Sequence, residues 1–165
     1  MIACVDVDYR DSEAVAACVL FDLWKDGQSK KEIVERISSV EPYQPGQFYR
    51  RELPCLLKVL SKVDISLETV LVDGYVWLSN DKSPGLGAHL FEALGGKIPV
   101  IGVAKTKFVS SVKAKEIFRG NSRNPLYVTS AGIDPDVAVQ QIENMHGQFR
   151  IPTLLKRVDT LCRKA

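Results

Sequence analysis

The chain has 165 residues, 45% of them hydrophobic and 25% charged, with a formal net charge of +2. These ordinary globular proportions suit a single domain over residues 1–165 with a sizeable core, and exclude a disordered or fibrous chain. No apolar run nears the ~20 residues that span a bilayer, and no basic-then-apolar leader pattern opens the sequence.

Residues 2–9, Ile-Ala-Cys-Val-Asp-Val-Asp-Tyr, read as a buried strand, and the apolar stretch 14–24 as a second. Alternation over 32–40 suits a half-exposed third strand. Asp11-Ser12 and Asp26-Gly27-Gln28-Ser29 supply turn chemistry between them, so antiparallel neighbours are expected. In Glu41-Pro42-Tyr43-Gln44-Pro45-Gly46 the prolines and glycine rule out helix or strand and force an ordered loop. A helix follows over about 49–63, with Leu53, Leu56, Leu57 and Leu60 on one face and Pro54 in its first turn or two. Next come a strand at 68–73, a helix from Pro84, and strands at 99–103 and 126–130. Asp134-Pro135-Asp136 gives an N-cap and a first-turn proline to a helix reaching about Met145, and a last helix opens near Pro152-Thr153. The order predicts an α/β mixed sheet, three antiparallel strands and then parallel strands, flanked by helices.

Cys4, Cys18, Cys55 and Cys162 are widely spaced and form no C-x-x-C pair. The first two lie in strand patterns and Cys55 in a helix pattern, which reads as buried free thiols and a reducing, cytoplasmic compartment.

Four carboxylates stand at structural junctions: Asp6, Glu52, Asp73 and Asp159. Asp6 interrupts the first apolar strand, and Asp73 ends Thr-Val-Leu-Val-Asp-Gly (69–74). A carboxylate among buried β-branched residues costs several kcal/mol unless compensated. A divalent cation held by oxygen ligands could compensate both. Taken singly, Asp6 fits a turn cap and Asp73-Gly74 a strand-end turn equally well. Charge is also uneven. Residues 1–41 carry nine acidic and five basic side chains, whereas 97–123 carry seven basic ones against the single acid Glu116. Arg150, Lys156, Arg157, Arg163 and Lys164 form a further basic group. Such runs serve as solvated surface, and beside an acidic centre they also suit a phosphodiester substrate. There is no G-x-x-x-x-G-K-[ST] or G-x-G-x-x-G for a nucleotide-binding small-molecule enzyme.

Six segments, in order along the chain, resemble the endonuclease V family. They are Val-Asp-Val-Asp-Tyr (5–9), the loop from Pro42 to Arg51-Glu52, Val-Asp-Gly (72–74), Gly-Leu-Gly-Ala-His-Leu (85–90), Ile-Pro-Val-Ile-Gly-Val-Ala-Lys (98–105), and Arg-Ile-Pro (150–152) with Asp159. The element order is similar to the ribonuclease H-like fold, whose metal carboxylates sit on the first strand, first helix and fourth strand, as Asp6, Glu52 and Asp73 would. The resemblance implies a Mg²⁺- or Mn²⁺-dependent endonuclease acting on DNA or RNA that contains inosine, cutting the second phosphodiester 3′ to the lesion. Catalytic and metal roles then fall to Asp6, Glu52, Asp73 and Asp159, with Lys105 reaching the scissile phosphate. Pro42, Tyr43, Gln44 and Pro45 would form a wedge, Tyr43 filling the gap left by a displaced base, and Gly46, Gly74, Gly85 and Gly102 would line the base pocket. Glycine permits that close approach, though each also fits a turn or packing role. His89 is expected to support the site and His146 to end a helix. A monomer is expected.

The chain departs from the family pattern in Tyr75 to Asp81, where a His-Pro is usual, in Gly132-Ile133 for Gly-His, and in a short connection from Lys105 to Leu126. Family members also carry a helical segment before the first strand. Two alternatives follow: a ribonuclease H-like nuclease of different specificity, or a nucleic-acid-binding module with weak catalysis.

Overall fold

Among the described residues the strands form one seven-stranded sheet, which runs from edge to edge through residues 31–37, 13–21, 2–10, 69–73, 100–104, 126–131 and 115–117. The structure, a computed structural model, describes residues 1–10, 13–38, 45, 47–108 and 114–165. The strands are β1 (Ile2–Arg10), β2 (Glu13–Phe21), β3 (Lys31–Ile37), β4 (Thr69–Asp73), β5 (Val100–Ala104), β6 (Lys115–Ile117) and β7 (Leu126–Ala131). The helices are α1 (Phe48–Leu60), α2 (Leu86–Ala93), α3 (Pro135–Glu143) and α4 (Thr153–Lys164).

β1 pairs antiparallel with β2, and β2 with β3, while β1, β4 and β5 run parallel. β7 turns antiparallel to β5, and β6 antiparallel to β7, so the parallel section is three strands wide. Among the described residues no helix stands between Ala104 and Leu126, and a parallel neighbour is usually reached through a helical crossover. β6 has no counterpart in the sequence reading; three residues, two of them charged, carry no strand periodicity.

Because successive strand side chains face opposite ways, the sheet has two cores. Ala3, Val5, Val70 and Val72 pack with Cys55, Leu56 and Val59 of α1 and Leu90 of α2. Ile2, Cys4, Leu71, Ile101 and Val103 pack with Ile142 of α3 and Leu154, Val158 and Cys162 of α4. The α4 residues recur at every fourth position, which puts them on one stripe, and each buried aliphatic side chain contributes about 1.5–3 kcal/mol. All four cysteines are free and buried.

Local chemistry sets several boundaries. β2 stops at Phe21, short of the expected Trp24, because the Asp26 carboxylate accepts from the N–H groups of Asp22 (3.2 Å) and Leu23 (2.9 Å) and closes a turn. Asp134 caps α3 as expected, its carboxylate accepting from Asp136 at 2.9 Å. Pro54 lies inside α1, in its second turn, where it has no N–H to donate to the preceding turn. Gly85, not Pro84, caps α2.

Candidate active site

The ladder between β1 and β4 pairs Ile2 with Thr69 and ends at Val5 with Val72. The next step of that register sets Asp6 beside Asp73. Alternation turns both side chains, and that of Lys105, toward the face covered by α4. β5 brings Val103 opposite Asp73, and Lys105, two residues on, donates from its Nζ to Asp73 Oδ2 at 2.6 Å. Glu52 enters from the other side of the sheet, on the second turn of α1, and is only 5% exposed.

The electrostatics mark these groups as one cluster. Burial, followed by the charge of Asp73, pushes the Asp6 carboxyl up to about 6. Burial, followed by Asp6 and Asp73, pushes Glu52 up to about 8. Glu52 Oε2 is buried with no hydrogen-bond partner. Beside it the Arg51 guanidinium lies over the Tyr9 ring, 3.9 Å from its centroid, and Tyr9 Oη and Arg51 Nε are likewise buried and unpartnered. Burial is the largest single influence on Lys105 and lowers its pKa, but Asp73, Asp159 and Asp6 together outweigh it and raise the pKa on balance.

Asp159, on α4, is 7% exposed and coupled to Asp6 and Lys105. Its burial alone would raise its pKa, but hydrogen bonds from Arg163 Nε to Oδ1 (2.8 Å) and from Lys156 Nζ to Oδ2 (2.9 Å) hold it below the ordinary value. With Asp73 turned to Lys105 and Asp159 to these two cations, no three His, Cys, Asp or Glu side chains among the described residues are arranged to hold a metal as they stand. The oxygen-only donor set, the mutual repulsion of Asp6, Asp73 and Glu52, and the orphaned Glu52 oxygen nevertheless fit a hard divalent cation.

Several supports had no distinct sequence signal beyond charge. Arg150 Nη2 donates to the carbonyls of Lys105 and, at 2.7 Å, Pro125, fixing the backbone that presents the lysine. Arg10 donates to the carbonyls of Cys162 (3.1 Å), Arg163 (2.6 Å) and Ala165 (2.9 Å), so the strand bearing Asp6 caps the helix bearing Asp159. The Cys162 thiol stands 3.8 Å from Asp6 Oδ2. Arg157 makes a bidentate pair with Glu32 of β3 at 2.8 and 2.7 Å.

Pro42, Tyr43, Gln44 and Gly46 lie outside the described residues, and Pro45 is exposed. Among the other expected pocket glycines, Gly74 has φ +130° and open space where a Cβ would sit. Gly85 and Gly102 each lie close to backbone of segment 74–76. A Cβ on Gly85 would meet the Tyr75 carbonyl oxygen at 2.6 Å, and one on Gly102 the Gly74 carbonyl oxygen at 2.5 Å. These two let segment 74–76 pack against α2 and β5, with Val76 N–H donating to Thr129 Oγ1 at 2.8 Å. Trp77, in the divergent stretch, donates from Nε1 to the Ser130 carbonyl at 2.9 Å. His89 stacks on Tyr49 with ring centroids 3.7 Å apart. His146 lies just past α3, its Nδ1 2.9 Å from Thr153 Oγ1.

Known proteins resemble this chain in sequence and in fold. The family model described as Endonuclease V matches residues 1–129. Endonuclease V of Streptomyces avermitilis is 30% identical over 185 aligned residues, covering 98% of this chain and 78% of its own. Its crystal structure superimposes with a TM-score of 0.77 at 26% identity, covering 99% and 79% of the two chains. Ciona intestinalis endonuclease V, solved with a 24-mer DNA containing an inosine followed by a ribo-adenosine, shares the fold at TM-score 0.84 and 18% identity, covering 99% and 84%.

Proposed function

This chain belongs to the endonuclease V family of phosphodiester-cutting enzymes, and from that premise we propose that it nicks nucleic acid at inosine, at the second phosphodiester on the 3′ side. The observation that carries the reading is the convergence of Asp6, Asp73 and Glu52 on one point of the sheet with Lys105 2.6 Å from Asp73.

Asp6, Asp73 and Glu52 would hold Mg²⁺ or Mn²⁺, and Asp159, whose oxygens are engaged by Lys156 and Arg163, would act on it through water. When bound, such a cation polarises a phosphoryl oxygen and lowers the pKa of an attacking water. Glu52, whose carboxyl burial pushes up to about 8 without a cation, would serve as a ligand in its deprotonated form. Lys105 neutralises Asp73 in the resting site and can turn its ammonium to a non-bridging oxygen of the scissile phosphate. Arg150 keeps the lysine in place by gripping its carbonyl. Residues 42–46 would wedge Tyr43 into the duplex, where stacking is worth about 1–3 kcal/mol per base and offsets much of the cost of flipping a weakly paired base.

The deciding experiment incubates the protein with Mg²⁺ or Mn²⁺ and matched DNA and RNA oligonucleotides, with and without one inosine. A single nick on the 3′ side of inosine, abolished by chelator, is expected. Equal cutting of control strands would leave a nuclease of other specificity, and no cutting of any strand would defeat the reading.

A further inference from the structure

Alongside the carboxylates, between the end of β5 and α4, lies an open groove of 430 Å³ lined by Lys105, Arg150, Lys156, Asp159 and Arg163, with Ile151 and Leu155 as its apolar part. It shares Lys105, Ile151 and Leu155 with the narrow cleft at Asp6 and Asp73, so the two adjoin along those residues. Four cations against one carboxylate leave a surplus of three positive charges on its walls.

We propose that this groove holds a second, uncut phosphate of the nucleic-acid strand, with Lys156 and Arg163 as its contacts and Asp159 as a positioning residue that sets both. The proposal rests on the nuclease reading above. Lys156 and Arg163 lie three residues before and four after Asp159, which places all three on one face of α4. The two cations are 66% and 64% exposed while the carboxylate between them is 10% exposed. One buried anion therefore fixes two solvent-facing cations. It neutralises only one unit of their charge, and both retain donors for a ligand. Side chains already held in place lose less freedom on binding than free surface lysines and arginines do. An anion with one phosphate per repeat matches the arrangement: with one phosphate beside Lys105, a neighbouring one on the same strand enters the adjoining groove, and Ile151 and Leu155 face the sugar between them.

The test measures binding rather than cutting. A labelled duplex with one inosine is titrated against the protein in chelator, and the dissociation constant is followed over a range of salt. Each phosphate contact contributes a log–log slope of about −0.9. Lys156→Gln/Arg163→Gln is expected to make the slope shallower by about 0.9 if the pair shares one phosphate and about 1.8 if it grips two. Lys62→Gln/Lys164→Gln, which removes equal charge outside the groove, should change it less. Each single variant keeps one partner on Asp159, and its melting temperature is recorded alongside; Arg163→Lys should restore the wild-type slope. An unchanged slope, or the same change in both double variants, overturns the proposal. Wild-type nicking at inosine with an unchanged slope removes the groove alone. A shallower slope in a protein that ignores inosine removes the substrate assignment alone.

Discussion

Asp6 and Glu52 are the residues whose charge the fold opposes most directly. Their carboxyls titrate at about 6 and about 8 in the folded chain, against ordinary values of 3.8 and 4.5. Across that interval the unfolded chain binds fewer protons, so raising the pH favours unfolding. The stabilisation is complete below the ordinary carboxylate range and is lost as pH climbs through 6 and then 8. In chelator, the melting temperature should therefore fall between pH 5 and pH 8.5. Added Mn²⁺ should raise it far more at pH 8 than at pH 5, because protons and cation compete for the same oxygens. A pH-independent melting curve, or equal gains at both pH values, would contradict this account. Asp6→Asn and Asp73→Asn test the chemistry: each should slow cleavage by about a thousandfold or more, the several kcal/mol a metal supplies as a Lewis acid. Asp6→Asn should in addition melt higher than wild type in chelator at pH 8, since a buried charge beside Asp73 is gone. Unaltered cleavage by either variant would show that the cluster is structural.

At the scale of elements, the site depends on how α4 is fastened across β1. Arg10 reaches from the end of β1 to three carbonyls in the last turn of α4, and Arg157 ties the middle of the helix to β3. The stripe Leu154, Val158 and Cys162 would bury the helix without either arginine, but it leaves the helix free to slide along its own axis. The arginine contacts fix that slide, and with it the distance from Asp159 to Asp6. Arg10→Ala should cost about 1.5–3 kcal/mol, the range for hydrogen bonds to a charged group. It should speed amide exchange in the last turn of α4 while leaving β4 and β5 protected. Cleavage should fall with it, although Arg10 touches no reacting group. Unchanged exchange in α4 would show that the apolar stripe alone sets its position.

For the molecule as a whole, the proposed chemistry gathers where β1, β4 and β5 end, with Asp6, Asp73 and Lys105 on the α4 face and Glu52 reaching in from α1. The proposed wedge belongs to residues 42–46, which precede α1 in the sequence. Substitutions in the loop should thus change substrate selection without touching the cation. Tyr43→Ala should weaken binding of duplex inosine substrate by the equivalent of about 1–3 kcal/mol and spare single strands, in which no opposing base leaves a gap. Mn²⁺-induced stabilisation should be unaltered. Equal losses on duplex and single strand, together with a lower melting temperature, would make the tyrosine part of the scaffold.

The residues by themselves determined the mixed sheet and the order of its elements apart from β6, and they singled out the four carboxylates as candidates. Hydrophobic alternation in 2–9 and 69–73 is a local property, and a carboxylate that interrupts it stands out without coordinates. The N-cap at Asp134 and the apolar face of α1 at Leu56 and Leu60 were legible for the same reason: side-chain period and backbone capping act over a few residues. Only the tertiary structure decided what those groups do to one another. The β1–β4 register sets Asp6 beside Asp73 across 67 positions of sequence, and no local pattern encodes which strand lies next to which. Nor could charge counting separate Arg150, which grips the backbone of Lys105, from Lys156 and Arg163, which hold Asp159, since these roles depend on a guanidinium or ammonium meeting a particular oxygen brought in from elsewhere. Gly85 and Gly102 show the same division. The sequence marks them as places where something comes close, and the fold reveals that it is the chain's own backbone at 74–76, because close packing is a relation between distant segments and not a property of either one.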